Sequence, residues 1–559
     1  MHMTMDTRFV MGLCIASSVL LVGPACSDEG TDSDASETSG DGDGDTSGDG
    51  DGDTSGDGDG DTSGDGDGEG MDDPLADMVE FLGGEQALSD LSSFRITATG
   101  TRSIAGEGQS AGDPALQTGT FESLLSYDLG ADAARIDYER IVELLGGVPL
   151  SYAEIYNVEL GYVAGDDAIL VPGPTDAPML SSRWASGRLQ MAYFNPHLLV
   201  RELLAGERTA QVSEASVEGC DSIIERSDPI SPINLCVLEG GELAGLSTLT
   251  NDFLLRDVEL QVLYSDWSGE GVPFPQQVEM SVDAQVYQSE SRSVEVDVEL
   301  DAAIFELPEG GMFDMQIADF GAISHQFFQS FSAIGLPLDF PMLNLTPTEL
   351  APGVFHISGG SHHSMVVEQD GGVVVIEAPN YPERADAILA WVAEQFPNKS
   401  VTHVIATHHH EDHTAGLRSF VAAGATVVLH EGSQDYFAER VFAAPSTLAP
   451  DALSSANLEP IFAAVGVDGL ILDDASNPIS LGQLANGHCT DMLLIHVDAG
   501  GGIVFNSDLY NPGNGGSALS PVGAQELLDA IEAGPDTALI AGGHGGVAPL
   551  SELQDFLAP

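Results

Sequence analysis

Thr407-His408-His409-His410-Glu411-Asp412-His413-Thr414-Ala415-Gly416 is the stretch on which the reading of the C-terminal half turns. Four histidines and two carboxylates fall within six residues, directly after the apolar run 401–406. The run reads as a buried strand and 414–423 as the helix that follows it. The cluster therefore sits on a strand-to-helix loop, where side chains can converge on one point. Imidazole and carboxylate at this density suit a zinc-type ion. A solvated polar loop is the plainer alternative. Three later segments argue against it, because they supply further ligands in order: Gly487-His488, Phe505-Asn506-Ser507-Asp508 and Gly543-His544-Gly545.

The flanking segments follow α/β grammar. Residues 354–357, 365–368 and 373–377 read as strands, 382–396 as a helix opened by Pro382, and 426–430 as the strand after the cluster's helix. A helix near 433–442, a Pro/Ala/Ser loop over 443–460, strands at 469–472, 492–497 and 502–506, a helix at 522–533 and a strand at 537–541 complete the region.

Taken in order, His408-x-His410-x-Asp412-His413, Gly487-His488, Asp508 and Gly543-His544-Gly545 resemble the metallo-β-lactamase-fold metallo-hydrolase superfamily over residues 346–559. The resemblance implies an αβ/βα sandwich with its site between the loop ends of two sheets. It also implies that His408, His410 and His488 hold one metal, that Asp412, His413 and His544 hold a second, and that Asp508 bridges the two. Two Zn2+ ions, or other divalent metals, would make a bridging hydroxide available at neutral pH to attack a carbonyl, with Asp412 the catalytic carboxylate. Departures from the pattern narrow the subclass. His410 stands where the di-iron branch has glutamate, Asp508 where the best-known zinc β-lactamases have cysteine, and the only lysine, Lys399, lies outside the motifs.

Other residues lie near the expected site. Glu377 occupies a strand end where the fold commonly has an aspartate that buttresses the metals, and reads as a supporting residue. His362 and His363 follow Gly359-Gly360-Ser361 in a hairpin whose tip faces the metals in such folds, and His363 is the candidate substrate contact. His409 and Glu411 alternate with the ligands and should point away. Cys489 is out of ligand phase, and Asp491 reads as a loop-fixing residue. His403, His430 and His496 lie in strand patterns and read as structural.

Residues 74–310 change to a β-rich grammar. A helix is expected over 74–91, then half-buried strands at 94–100, 121–127, 134–138, 158–163, 168–171, 258–264, 278–286 and 293–298, with a helix at 196–204. A leading helix, a long meander and the closing Phe305-Glu306-Leu307-Pro308 resemble the curved-sheet, LolA/LppX-like lipoprotein carrier domains, which can hold an acyl chain or serve for docking. No catalytic cluster is legible here; His197 and His325 stand alone. Residues 311–345 form a connector with an aromatic amphipathic piece at 317–334.

The front of the chain reads as export machinery. Residues 1–25 have the apolar core of a signal peptide, too short for a comfortable membrane span. Leu21-Val22-Gly23-Pro24-Ala25-Cys26 resembles a bacterial lipoprotein signal with Cys26 lipidated; ordinary cleavage and an uncleaved anchor are the alternatives. Residues 26–73 repeat Asp-Thr-Ser-Gly-Asp-Gly-Asp-Gly, an extended, disordered tether by composition. Cys220 and Cys236 bracket a short Pro-containing loop, and the exported context predicts a disulfide between them. A net charge of −73, from 16 Lys+Arg against 89 Asp+Glu, repels phosphate backbones and argues against nucleic acid as partner.

The expectation is thus a binuclear zinc-dependent hydrolase of an ester, thioester, lactone or lactam, acting on a small molecule. It would be exported and membrane-tethered as an outer-membrane, periplasmic or cell-surface lipoprotein of a Gram-negative bacterium. A metal-retaining binding or sensor lipoprotein, and an iron-dependent redox or persulfide enzyme, are the rival readings.

Overall fold

The structure, a computed structural model, describes residues 73–558 apart from 144–145, 168–175, 180, 214–215, 309–344 and 457. The leader, Cys26, the acidic repeat, the strand expected at 168–171, the aromatic piece at 317–334 and His325 lie outside the described residues.

Among the described residues, thirteen strands between Ser93 and Val296 form one antiparallel sheet. The chain meanders from Ser93–Ile104, in the middle, to Ala177–Pro178 at one edge. It restarts at Ala210–Val212, the other edge, and meanders back to Gln285–Val296, which pairs with Ser93–Ile104 (Phe94 opposite Val296). Alternate residues of each strand face one side. Phe94, Ile96 and Ala98 thereby join a core closed by Trp184, Met191 and Leu199 of the helices Ser181–Phe194 and Pro196–Leu204. Cys220 and Cys236 are disulfide-bonded, with Cα atoms 5.3 Å apart.

Two expectations for this region change. The helix over 74–91 is two helices, Pro74–Phe81 and Gly84–Asp90. Gly83 between them takes φ 109°, and a Cβ there would lie 2.2 Å from the Gly271 carbonyl. The run 278–286 is likewise divided between Phe274–Val282 and Gln285–Val296, because Asp283 and Ala284 take φ 49° and 59° and turn the chain as a tight hairpin. The space between sheet and helices, lined by Ile96, Tyr138, Met191 and Arg292, is about 50 Å³. Ligand pockets run to roughly 300–1,000 Å³, well above the volume of this space. An open depression of about 520 Å³ lies elsewhere on the sheet, lined by charged Glu122, Arg135, Asp137 and Glu139.

The C-terminal region holds two further sheets, of seven and six strands among the described residues. The first begins with the antiparallel strands Thr346–Ala351, Val354–Ser358, Ser364–Gln369 and Gly372–Ile376. It continues in parallel through Val401–Ile405, Thr426–His430 and Phe462–Val465. Strand periodicity sorts the side chains. Val373 and Val375 pack beneath Ile388 and Val392 of the helix Pro382–Gln395 and Phe420 of the helix Leu417–Ala422. Val374 and Ile376 point the other way and meet Leu493, Ile495 and Ile503 of the second sheet. Beyond that sheet, Val504 and Ile540 pack on Leu527 and Leu553 of the helices Pro521–Ala533 and Leu550–Leu557. The layers are helix, sheet, sheet, helix, the αβ/βα sandwich the motifs imply. The helix expected over 414–423 starts earlier, as the single turn Glu411–Thr414, and resumes at Leu417.

Residues 70–559 cluster into one unit, and three hairpin ends of the large sheet dock on the sandwich. Leu254 enters the sandwich's helix-side core, and Arg256 Nη2 donates to the Ala449 carbonyl at 2.7 Å. Asp283 pairs with Arg440 at 2.6 Å. The third end, residues 105–115, reaches the histidine cluster.

Candidate metal centre

Loops at the C-terminal ends of neighbouring strands carry the candidate ligands. His408–His413 follow Val401–Ile405, Asp508 follows Ile503–Asn506, and His544 follows Leu539–Gly542. His488 comes from the loop between Ile479–Gln483 and Leu493–Val497. Parallel pairing of Ile503–Asn506 with Leu539–Gly542 sets Asp508 beside His544. Asp508 and Glu377 both take left-handed backbone conformations, φ 63° and 64°. Such strain in non-glycine residues is held by the surrounding structure and concentrates at functional sites.

Asp508 lies at the centre. Its Oδ2 is 3.1 Å from His408 Nε2 and 3.1 Å from His488 Nε2. Its Oδ1 is 3.2 Å from His413 Nε2 and 3.0 Å from His544 Nε2. His410 Nδ1 lies 3.2 Å from His488 Nε2. The ligand atoms of His408, His410, His488 and Asp508 all fall within 4.8 Å of one another, and those of His362, Asp412, His413 and His544 form a second such group.

The outer nitrogens of the rings are fixed by other groups. His408 Nδ1 is 3.0 Å from Thr407 Oγ1, whose hydroxyl donates to Glu377 Oε1 at 2.7 Å. Glu377 Oε1 also lies 3.1 Å from His413 Nδ1. His544 Nδ1 donates to the Ser361 carbonyl at 3.0 Å, and His410 Nε2 to the Gly108 carbonyl at 3.0 Å. Such outer partners orient metal-binding imidazoles and select their tautomer. Gly543 is required by this packing, since a Cβ there would come within 2.5 Å of Ser507 Oγ and 2.9 Å of Glu377 Oε2.

These residues fit a pair of borderline divalent ions. Ligand atoms about 2.0–2.1 Å from a tetrahedral ion lie roughly 3.3 Å apart, close to the separations around Asp508. His408 Nε2, His413 Nε2 and Asp412 Oδ1 are buried and make no aligned hydrogen bond. Burial would raise the Asp508 carboxyl. His413 beside it, with the close approach of His408 and His488, outweighs burial and holds it well below the usual range. Burial lowers His408 and His410, favouring the neutral imidazole that binds metals.

The sequence-predicted ligands His408, His410, Asp412, His413, His488, Asp508 and His544 all meet here. Glu377 stands behind His413. His409 points away, as expected, with Nδ1 2.7 Å from Asp491 Oδ1, and Asp491 also accepts from Ser433. Cys489 is buried and unbonded to another cysteine. It groups with His409 and Asp491 rather than with Asp508. Burial, then Asp491, raises its thiol, which disfavours the thiolate a metal needs.

The hairpin 358–364 departs from expectation. His362, not His363, faces the cluster: its Nε2 donates to Asp412 Oδ2 at 2.9 Å, and its ring meets that of His544 at 4.2 Å. Burial, then His544, lowers His362 to about 4. His363 bonds through its backbone N–H to the Gly543 carbonyl at 2.7 Å, and its ring lies edge-on to His356 at 5.1 Å. Adjacent residues entering the strand Ser364–Gln369 face opposite ways, so His362 takes the inward place expected of His363. Glu107, from the large sheet, is a further residue that sequence reasoning missed; its Oε2 lies 3.3 Å from His410 Nδ1.

An αβ/βα sandwich that brings two adjoining His/Asp groups together supports a metallo-hydrolase-type enzyme. Residues 357–546 match the family model of the metallo-beta-lactamase superfamily, and that part of the chain is a metallo-beta-lactamase domain. The chain is 31% identical over 96 residues to the 2,4-dinitroanisole O-demethylase subunit beta of Nocardioides sp. (strain JS1661), a match covering 17% of this chain and 30% of that protein's length. Among solved structures it is similar to the metallo-beta-lactamase from Pontibacter korlensis, at 17% identity and TM-score 0.30, covering 38% of this chain and 97% of that one. The metallo-beta-lactamase from Hirschia baltica is similar at 17% identity and TM-score 0.29, covering 38% and 96%.

Proposed function

We propose that the protein is a binuclear, zinc-type hydrolase that cleaves an ester, thioester, lactone or lactam carbonyl. The observation that carries this reading is Asp508, whose two carboxylate oxygens each approach two histidine nitrogens, one oxygen per ligand group. A bound pair of divalent ions would supply Lewis acidity and a water of lowered pKa. The chain's own residues do the rest. His408, His410 and His488 hold one position, and Asp412, His413 and His544 the other, with His362 fixing Asp412. His362 takes Asp412 Oδ2, which leaves Oδ1, buried and without a hydrogen-bond partner, to face that second position. Glu377 and Thr407 keep His413 and His408 in register.

A panel of esters, thioesters, lactones and β-lactams tests the reaction class on zinc-loaded protein. An aryl methyl ether belongs in the panel, because the curated relative is named as a subunit of an O-demethylase. Turnover of a carbonyl substrate that a chelator abolishes supports the reading. Ether cleavage without carbonyl hydrolysis would redirect it.

The proposal extends to location: export and membrane tethering through Cys26, on the grounds of the leader and the acidic tether. Among the described residues no helix is long and apolar enough to cross a membrane. A Cys26→Ser variant should move from the membrane fraction to the soluble one; unchanged fractionation argues against the anchor.

A further inference from the structure

The segment 105–115 joins Ser93–Ile104 to Leu116–Asp128 in the large sheet, yet its tip lies in the metal centre of the other domain. Its own shape is set by Asp113, whose Oδ2 accepts from the Ser110 N–H at 2.8 Å. From there it grips the loop that carries His488. Gln109 Nε2 donates to the Gly487 carbonyl at 3.0 Å and the His488 carbonyl at 3.1 Å. The Gln109 carbonyl accepts from the Thr490 N–H at 2.8 Å and from the Thr490 hydroxyl at 3.1 Å. Ser110 Oγ meets Thr490 Oγ1 at 2.9 Å. These contacts are specific and many, so the tip is seated rather than merely nearby.

Two consequences fall on His410. Its Nε2 is committed to the Gly108 carbonyl, which leaves Nδ1 free to bind metal. On that same Nδ1 side stands the Glu107 carboxylate, at 3.3 Å. The ligand atoms of Glu107, His410 and Asp412 lie within 4.8 Å of one another. A separation of 3.3 Å is the edge expected for two atoms sharing one tetrahedral ion, roughly 3.3 Å, and it resembles the 3.2 Å between His410 and His488.

We propose that Glu107 is a metal ligand delivered by the large sheet, so that the centre is built from both folded parts of the chain and not from the sandwich alone. The proposal rests on the two-metal reading above. Glu107 adds a carboxylate to the centre beside His410 and Asp412, and Gly108 orients His410. Metal binding and seating of the hairpin are then one linked equilibrium, and a substrate must enter past, or displace, the Glu107 carboxylate.

The test uses the full chain, stripped of metal and reloaded with Zn2+ or Co2+, as wild type and as Glu107→Gln and Glu107→Ala. Both substitutions keep the loop length at a partly exposed position, and unchanged thermal unfolding of the metal-free proteins shows that they fold. Competition against a chromogenic chelator should show one of the two ions bound at least about tenfold more weakly in both variants. The visible spectrum of the Co2+ form should change, as loss of a ligand requires. Wild-type affinity and a wild-type Co2+ spectrum in both variants, while the parent protein binds two ions, would overturn the proposal and leave the two-metal reading standing. A parent protein that binds no pair of ions would overturn both.

Discussion

Glu377 shows how one buried charge organises the centre. It is fully buried, accepts from Thr407 and lies 3.1 Å from His413 Nδ1. Burial opposes its ionisation, yet His413 and the hydrogen bonds from His413 and Thr407 hold its carboxyl below the ordinary value. Glu377→Gln keeps the shape and removes the charge. It should lower affinity for the ion at His413 by about 10–100-fold, measured by chelator competition; equal affinity would remove Glu377 from this role. The position was legible because the fold that the motifs resemble commonly carries a buttressing carboxylate at the end of that strand. His362 was harder, since choosing between His362 and His363 depends on a one-residue phase at a hairpin tip. Glu107 and Gly108 were not legible at all. Gly108 and His410 are 302 residues apart in the chain, and no spacing rule links segments of different sheets.

At the scale of elements, the helix Pro196–Leu204 carries a buried imidazole. His197 stacks on Phe274 with ring centres 3.9 Å apart and donates from Nε2 to the Pro273 carbonyl at 2.8 Å. Burial lowers its pKa from 6.5 to about 3. In the unfolded chain it takes up a proton as pH falls through the ordinary value, while in the folded chain it stays neutral. Folding stability is therefore lost as pH drops from about 6.5 toward 3. His197→Phe should remove this component, on the order of 3 kcal/mol at pH 4, so that urea unfolding of the variant depends less on pH between 7 and 4. A variant with the parent's pH dependence would contradict the assignment. The strands that were legible have strong alternation, as in 94–100 and 258–264. Leu243–Asp252 and the helix Ser181–Phe194 were not, because small and polar residues blur their periods. Their pairing and packing partners, rather than local preference, decide their form.

For the whole molecule, the sandwich could be read from four ordered motifs, because metal ligands must return to one point and so constrain the path of the chain. The number of strands in the large sheet, its filled inner face and its docking on the sandwich could not be read, since these depend on contacts between distant hairpin ends. The two parts meet at the histidine cluster, and the central claim is that Asp508 joins two metal positions. The most direct measurement is the metal content of the full chain after equilibration with Zn2+ and removal of loose ions, for the wild type and for Asp508→Asn. The account predicts two ions per chain in the wild type and at most one in the variant, with hydrolysis reduced on the order of 10³-fold. A wild type that retains a single ion, or an Asp508→Asn variant that keeps two ions and full turnover, would contradict it.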